Sequence, residues 1–101
     1  MKIASGAIAR VPPKAAAPFY QSQDWKKIRE RIFARDRFTC VVPTCGRAAV
    51  VCEHVTSRRN GGSDDDSNLV SLCRNHDNRF KELPNGNRRN AEEWKKIFAT
   101  G

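Results

Sequence analysis

The chain has 101 residues, of which 39% are hydrophobic and 30% are charged, a composition that predicts one small globular domain and excludes a multidomain enzyme. No run of apolar residues approaches the roughly eighteen that a membrane-spanning helix needs, so we expect no membrane partner. Nineteen lysines and arginines against eleven aspartates and glutamates give a net charge of +8, which favours polyanionic partners, nucleic acid first among them.

The first predicted feature is a flexible basic arm over residues 1–18, which is rich in proline and alanine and has no amphipathic period. We expect a single domain over residues 19–101, with its core in residues 40–83. The domain begins with a helix that Ser22 can cap. The basic residues of this helix either face phosphates or are simply solvated. Its apolar stripe has helical spacing and consists of Trp25, Ile28, Ile32 and Phe33.

The core segment has the pattern strand, loop, strand, helix, which predicts a small α+β domain. Apolar β-prone runs mark the strands, and glycines and aspartates mark the loop between them. In chain order, the predicted elements are a strand within residues 49–55, a loop opened by Gly61 and Gly62, a strand at residues 69–72, a helix at residues 73–83 and a last helix that Asn90 caps.

The four cysteines favour a metal site over disulfides. The N-terminus has no apolar signal core, so we expect an intracellular, cytoplasmic protein whose thiols stay reduced. Cys40 and Cys45 form a C-x4-C knuckle, and Cys73 with His76 forms a C-x2-H pair. Two such half-sites provide the four ligands of a tetrahedral zinc ion. Because a small domain has a thin core, we expect its folding to depend on this structural zinc.

Cys52 is the remaining cysteine and competes with His76 for the place of the fourth ligand. Two ligands at a helix start, as in Cys73 and His76, converge on one ion, whereas Cys52 lies alone in an apolar run. We therefore expect His76 to bind zinc and Cys52 to be a buried strand residue.

Glu53 and His54 end the first predicted strand. An imidazole can take a proton from water near neutral pH, and a neighbouring carboxylate is a hard ligand for a divalent cation, so the pair suits metal-assisted hydrolysis. From these two residues alone, a surface Glu-His pair is the more common explanation. Adjacent residues of a regular strand point to opposite faces, so both can reach one cation only if the strand ends or kinks there. In a regular strand, Glu53 loses this role.

The motifs between residue 19 and about residue 81 form an ordered series. They are a helix with Tyr20, Trp25 and Arg29, then Arg35-Asp36, Glu53-His54, a Gly-Gly-Ser-Asp loop, Asn68-Leu69 and the C-x2-H pair. This series resembles the HNH endonucleases, especially the short stand-alone members common in phages and bacteria. The resemblance implies a ββα-metal fold, in agreement with the predicted order of elements, and many members carry a structural zinc.

The resemblance also implies roles for individual residues. His54 matches the general base, which activates the water that attacks the scissile phosphate. Glu53 matches an acidic position that often binds the catalytic cation. Asn68 matches the central asparagine, whose amide is expected to brace the loop and fix the backbone around His54.

Asp77 is the main departure from the family pattern, because the family's last histidine directly follows the fourth zinc ligand. Asn78 and Arg79 continue as in the family, which supports this register. In the alternative register His76 takes the catalytic place, and Cys52 has to complete the zinc site. A carboxylate at position 77 suits Mg²⁺ or Mn²⁺ better than ions that prefer nitrogen, so Asp77 predicts a metal preference.

The function implied is metal-dependent hydrolysis of DNA phosphodiester bonds with His54 as base. One active site cuts one strand, so we expect a monomer or weak dimer that nicks DNA. No base-reading element is evident, so we expect low sequence specificity. Arg79, Arg58 and Arg59 flank the site and could bind neighbouring phosphates. The resemblance to phage proteins suggests phage packaging or other DNA-processing proteins as partners.

The alternative function is a non-catalytic, zinc-stabilised module that binds nucleic acid on a degenerate HNH scaffold. Asp77 would then mark lost catalysis. The retained Glu53, His54 and Asn68 argue against this alternative, because a binding module needs no base beside a carboxylate.

Overall fold

The computed structural model describes residues 17–98, which divide into two compact units between residues 30 and 31. The predicted basic arm lies outside the described residues over residues 1–16, and its last two residues open the first helix. Helix α1 spans Ala17–Tyr20, and helix α2 spans Gln23–Arg35. No helix within residues 17–98 combines the length and the apolar character that crossing a membrane requires.

In the first unit, Ser22 caps α2 as predicted. Its Oγ accepts a hydrogen bond from the Trp25 backbone N–H at 3.1 Å and donates to the Phe19 carbonyl at 2.6 Å. The Trp25 ring centroid lies 5.5 Å from that of Phe19 and 5.1 Å from that of Tyr20. These contacts between aromatic rings connect α1 with the first turn of α2.

The second unit contains the predicted pattern of strand, loop, strand and helix. Strand β1 spans Val51–His54 and pairs antiparallel with strand β2, Leu69–Leu72, so that Val51 lies opposite Leu72 and His54 opposite Leu69. Helix α3, Arg74–Arg79, follows β2 directly, and helix α4 spans Ala91–Phe98. The loop between the strands contains two short 3-10 turns, Arg58–Asn60 and Asp66–Asn68. The protein is therefore a small α+β structure, as predicted.

Helix α3 is shorter than the prediction of residues 73–83. It ends at Arg79, because Phe80 leaves the helical conformation and its side chain is fully buried. The chain then reverses through Gly86, whose φ is 90°, and a bridge pairs Glu82 with Arg88. This reversal returns Arg88 to the end of α3, where its Nη1 donates to the Phe80 carbonyl at 2.9 Å.

The core of the second unit connects the sheet, the cysteine knuckle and the last helix. The Phe80 ring lies 5.2 Å from the Trp94 ring, centroid to centroid. Trp94 also donates from Nε1 to the Val55 carbonyl at 3.1 Å, which joins α4 to the residue after β1. The buried cluster consists of Cys40, Val70, Leu72, Cys73, Phe80 and Trp94.

Candidate metal centre and catalytic site

Three cysteines and one histidine meet beside the start of α3. In the knuckle, the Cys40 backbone N–H donates to the Arg47 carbonyl at 2.8 Å, and Gly46 turns the chain with a φ of 70°. Cys73 precedes α3, and its sulfur accepts a hydrogen bond from the His76 backbone N–H at 3.4 Å. The cysteines of the knuckle therefore lie close to Cys73 and His76 at the start of the helix.

The distances between the ligand atoms fit a tetrahedral ion. Cys45 Sγ lies 3.8 Å from Cys73 Sγ, while His76 Nδ1 lies 3.3 Å from Cys73 Sγ and 3.5 Å from Cys40 Sγ. With Zn–S bonds of about 2.3 Å and a Zn–N bond of about 2.0 Å, tetrahedral ligands are separated by about 3.5 to 3.8 Å. These four residues could therefore hold a zinc ion.

Cys52 lies outside this group. It is a buried residue of β1, 8% exposed, and it pairs with Ser71 of β2. The four ligand atoms of the group lie within 4.8 Å of one another and include His76. The grouping favours the register in which His76 binds the metal and Asp77 follows it.

Burial changes the protonation of the cysteine ligands. It raises the pKa of the Cys40 thiol to about 11. Burial also opposes ionisation of Cys73, but the His76 backbone N–H and the neighbouring thiols outweigh it, and the pKa of Cys73 is lower than its ordinary value. Because zinc binds thiolates, metal binding has to release the Cys40 proton.

Asn68 braces the loop between the two strands. Its Nδ2 donates to the Thr56 carbonyl at 2.9 Å and to the Ser63 carbonyl at 2.7 Å. Its Oδ1 accepts from the Thr56 backbone N–H at 2.9 Å. One side chain therefore joins the segment that follows His54 to the segment that precedes Asp64.

Glycine is favoured at both positions of the loop, by backbone conformation at Gly61 and by lack of space at Gly62. Gly61 ends the first 3-10 turn with a φ of 91°, a left-handed conformation that other residues adopt at a cost. At Gly62, an added Cβ would overlap the Thr56 carbonyl and lie 2.9 Å from Asn68 Nδ2. The loop closes over Thr56 because position 62 has no Cβ.

His54 is the last residue of β1, and its side chain is 5% exposed. Its Nε2 lies 2.8 Å from Asp64 Oδ1. A carboxylate is an acceptor of hydrogen bonds, so this contact favours the tautomer in which Nε2 carries the proton and donates. Asp64 also lies 3.6 Å from Arg58 Nε. The imidazole is therefore a buried base candidate with a carboxylate partner.

Glu53 faces a different set of groups. Its Oε2 accepts from Arg88 Nη1 at 2.9 Å, and the two side chains are 26% and 9% exposed. Burial raises the pKa of Glu53 above its ordinary value, Arg88 opposes the rise, and the charge of Asp77 adds to it. Lys81 Nζ lies 3.8 Å from Asp77 Oδ2. The charge of Asp77 thus acts on Glu53, and each of the two carboxylates has a cationic side chain beside it.

The strand keeps Glu53 and His54 apart. β1 pairs regularly through His54, and burial alternates along it, so the two side chains point to opposite faces. Glu53 and His54 therefore do not share one cation, and Glu53 loses the role that it was predicted to share with His54. Within residues 17–98, the Cys/His group is the only cluster of three or more potential ligands.

Two of the three arginines predicted to bind phosphates lie beside carboxylates. Arg79 donates to the Glu93 carboxylate from Nη2 at 2.5 Å and from Nε at 3.1 Å. Arg58 lies near Asp64, and the Arg59 side chain passes beside Gly86. Phosphate binding by these residues stays a prediction.

Sequence reasoning missed two side chains at the site, Asp64 and Arg88. Asp64 is the last residue of the Gly-Gly-Ser-Asp loop motif, but two further aspartates follow it and hide its role. Arg88 lies in a polar turn with no local pattern, and nothing in the sequence pairs it with Glu53.

Residues 40–80 match the family model of the HNH endonucleases. The match confirms the resemblance found in the sequence, and it indicates nuclease-type activity and nucleic-acid binding. Comparison with curated proteins and with solved structures found no match. The matched range contains the metal ligands, His54 and Asn68, and it ends before Arg88.

Proposed function

We propose that this protein is a metal-dependent HNH endonuclease that hydrolyses phosphodiester bonds of DNA. The observation that carries the proposal is the buried His54 imidazole, which Asp64 holds at 2.8 Å at the end of β1. A histidine with a carboxylate partner suits general-base catalysis. Its position within the range that matches the HNH model supports phosphodiester hydrolysis over other hydrolytic reactions.

In the proposed reaction, His54 takes a proton from the attacking water. Asn68 does not contact the substrate, but its three hydrogen bonds with Thr56 and Ser63 keep the loop beside the imidazole in place. Preorganisation of this kind lets the base meet its water without rearrangement of the loop.

Glu53 and Asp77 are the residues that would hold the catalytic cation. Mg²⁺ is commonly bound by one or two carboxylates together with several waters, so this pair fits Mg²⁺ or Mn²⁺. Such a cation, when bound, polarises the phosphate and stabilises the departing oxygen. Zinc held by the Cys/His group has a structural role in this proposal, because four protein ligands leave no open position for a substrate.

The proposed substrate is double-stranded DNA, and the elementary act is a nick. The net charge of +8 supports a polyanionic partner. One His54 per chain supports one cut per binding event. Arg79, Arg58 and Arg59 would exchange their carboxylate or backbone neighbours for phosphates, and contacts to phosphates carry no base identity, which supports low sequence specificity.

One observation favours a second candidate, a non-catalytic module that binds nucleic acid. Arg88 already neutralises Glu53 at 2.9 Å, and Lys81 lies 3.8 Å from Asp77. If these cations replace the divalent ion permanently, the scaffold keeps its zinc and its affinity for DNA but loses hydrolysis.

A supercoiled-plasmid assay with Mg²⁺, Mn²⁺ or EDTA separates the two candidates. The wild-type protein should convert plasmid to open circles with a divalent cation and not with EDTA. His54→Ala and His54→Asn, purified identically and checked for zinc content and thermal unfolding, should lose at least about 100-fold in rate. If zinc-loaded wild-type protein binds DNA but never nicks it with any of these cations, the binding module is the correct function.

A further inference from the structure

We infer that Asp64 is a positioning residue for His54, which fixes the orientation and the tautomer of the imidazole. The inference rests on the proposed function, in which His54 is the base. Asp64 Oδ1 lies 2.8 Å from His54 Nε2. The His54 side chain is 5% exposed, so the imidazole has few water molecules as alternative partners, while the Asp64 side chain is 34% exposed.

The backbone on both sides of Asp64 is held in place. The Ser63 carbonyl accepts from Asn68 Nδ2 at 2.7 Å, and the Ser63 hydroxyl accepts from the Asp65 backbone N–H at 3.2 Å. The Asp65 carbonyl accepts from the Asn68 backbone N–H at 2.8 Å. Asn68 therefore places the carboxylate as well as bracing the loop.

The three consecutive aspartates of this loop have different surroundings, which separates Asp64 from a general acidic patch. Asp66 accepts three hydrogen bonds from the Arg31 guanidinium, at 2.7, 3.1 and 3.2 Å. Asp65 is exposed, and its side chain does not cap the turn that follows. Asp64 is the aspartate that reaches the buried imidazole.

The hydrogen bond determines which ring nitrogen carries the proton. The carboxylate accepts from Nε2–H, so the lone pair of the neutral ring is at Nδ1. During hydrolysis, Nδ1 takes one proton from water, the resulting hydroxide forms a bond to phosphorus, and the bond from phosphorus to the leaving oxygen breaks. The leaving oxygen takes a proton from solvent, and the imidazolium beside Asp64 returns its proton to solvent. Throughout these steps Asp64 accepts the hydrogen bond from His54 Nε2 and does not contact the substrate, and Arg58 Nε lies 3.6 Å from its Oδ1.

The test compares Asp64→Ala with Asp65→Ala, which removes the same charge from the neighbouring position. Long-range proton–nitrogen NMR spectra of zinc-loaded protein at pH 8 report the tautomer of each imidazole. The protein has two histidines, so the signals that disappear in His54→Ala are those of His54. The wild type and Asp65→Ala should show the Nε2–H tautomer at His54. Asp64→Ala should show a mixture. In plasmid nicking, Asp64→Ala should lose about 100-fold in kcat with KM within about twofold of the Asp65→Ala value.

Asp64→Asn, which keeps the volume of the side chain, replaces Asp64→Ala in the same measurements if the alanine variant loses zinc or unfolds. The same tautomer and the same kcat in the Asp64 and Asp65 variants would overturn the inference. A tautomer that shifts only in the Asp64 variants, in a protein that never nicks DNA, would support the positioning of His54 and refute the proposed nuclease function. Failure of the positioning inference and failure of the proposed nuclease function are therefore distinguishable.

Discussion

Arg88 donates to the Glu53 carboxylate at 2.9 Å across a separation of 35 residues in the sequence. The same guanidinium donates to the His54 carbonyl at 3.2 Å and lies 4.1 Å from the centroid of the Trp94 ring. A residue beyond the range that matches the HNH model thus contacts both members of the Glu53-His54 pair. The segment after α3 therefore contributes a side chain to the candidate site at the end of β1.

Arg88→Met should lower the free energy of unfolding by about 2 kcal/mol, because it leaves a partly buried carboxylate without its partner. Glu53→Gln in the same chain should recover part of the loss, since no uncompensated charge remains. Urea unfolding of the zinc-loaded wild type, both single variants and the double variant measures this coupling. Strictly additive losses would show that Arg88 and Glu53 act independently.

Cys45→Ser should abolish zinc binding, whereas Cys52→Ser should not, because Cys52 lies outside the ligand group. Elemental analysis should find about one zinc per chain in the wild type and in Cys52→Ser. Cys45→Ser should unfold at room temperature or lose at least about 15 °C in its thermal midpoint. Zinc retained at the wild-type level in Cys45→Ser would rule out the assigned site.

Asp77→Ala should weaken Mn²⁺ binding at least about 10-fold and slow nicking, because it removes one of two proposed carboxylate ligands. Lys81→Ala is the matched control, since it breaks the ion pair with Asp77 and keeps the carboxylate. Calorimetric titration of zinc-loaded protein with Mn²⁺ measures the affinity. Unchanged affinity and unchanged nicking in Asp77→Ala would place the catalytic cation elsewhere.

Asn68→Ala should reduce nicking far more than DNA binding, because it releases the Thr56 and Ser63 backbone groups and loosens the loop beside His54. Asn60→Ala is a suitable comparison, since Asn60 belongs to the same loop but bonds to Glu82 and Gly86. Nicking rates and a DNA-binding isotherm are measured for both variants. Equal losses of nicking and binding in Asn68→Ala would indicate general unfolding.

Asp36 should make stability depend on pH in the acid range. Burial raises its pKa, but hydrogen bonds from Arg35 and Ser71 outweigh burial, so the pKa of Asp36 lies below its ordinary value. A carboxyl group of this kind adds stability above its ordinary pKa, and that stability is lost as pH falls through the folded pKa. Asp36→Asn should therefore lower the urea midpoint at pH 7, and the difference from wild type should narrow below about pH 4. A constant difference down to pH 2.5 would show that Asp36 does not contribute this pH dependence.

Local sequence patterns were sufficient for much of the fold. The strand Leu69–Leu72 was predictable because its residues form a short and mostly apolar run, and all four are buried. The candidate metal ligands were recognisable because each half-site is a local motif. The end of α3 was not predictable, because it depends on the burial of Phe80 against Trp94. Nor could the sequence choose among three aspartates for the partner of His54, since that choice depends on how Asn68 closes the loop.

The reach of Arg88 into the site has a consequence for protein engineering. A designer who transplants only residues 40–80 into another scaffold would carry the metal ligands, His54 and Asn68 but would leave out the guanidinium that faces Glu53. The graft would contain a half-buried carboxylate with no counter-charge. A portable cassette should therefore extend at least through Trp94, whose ring and indole N–H position Arg88 and the end of β1.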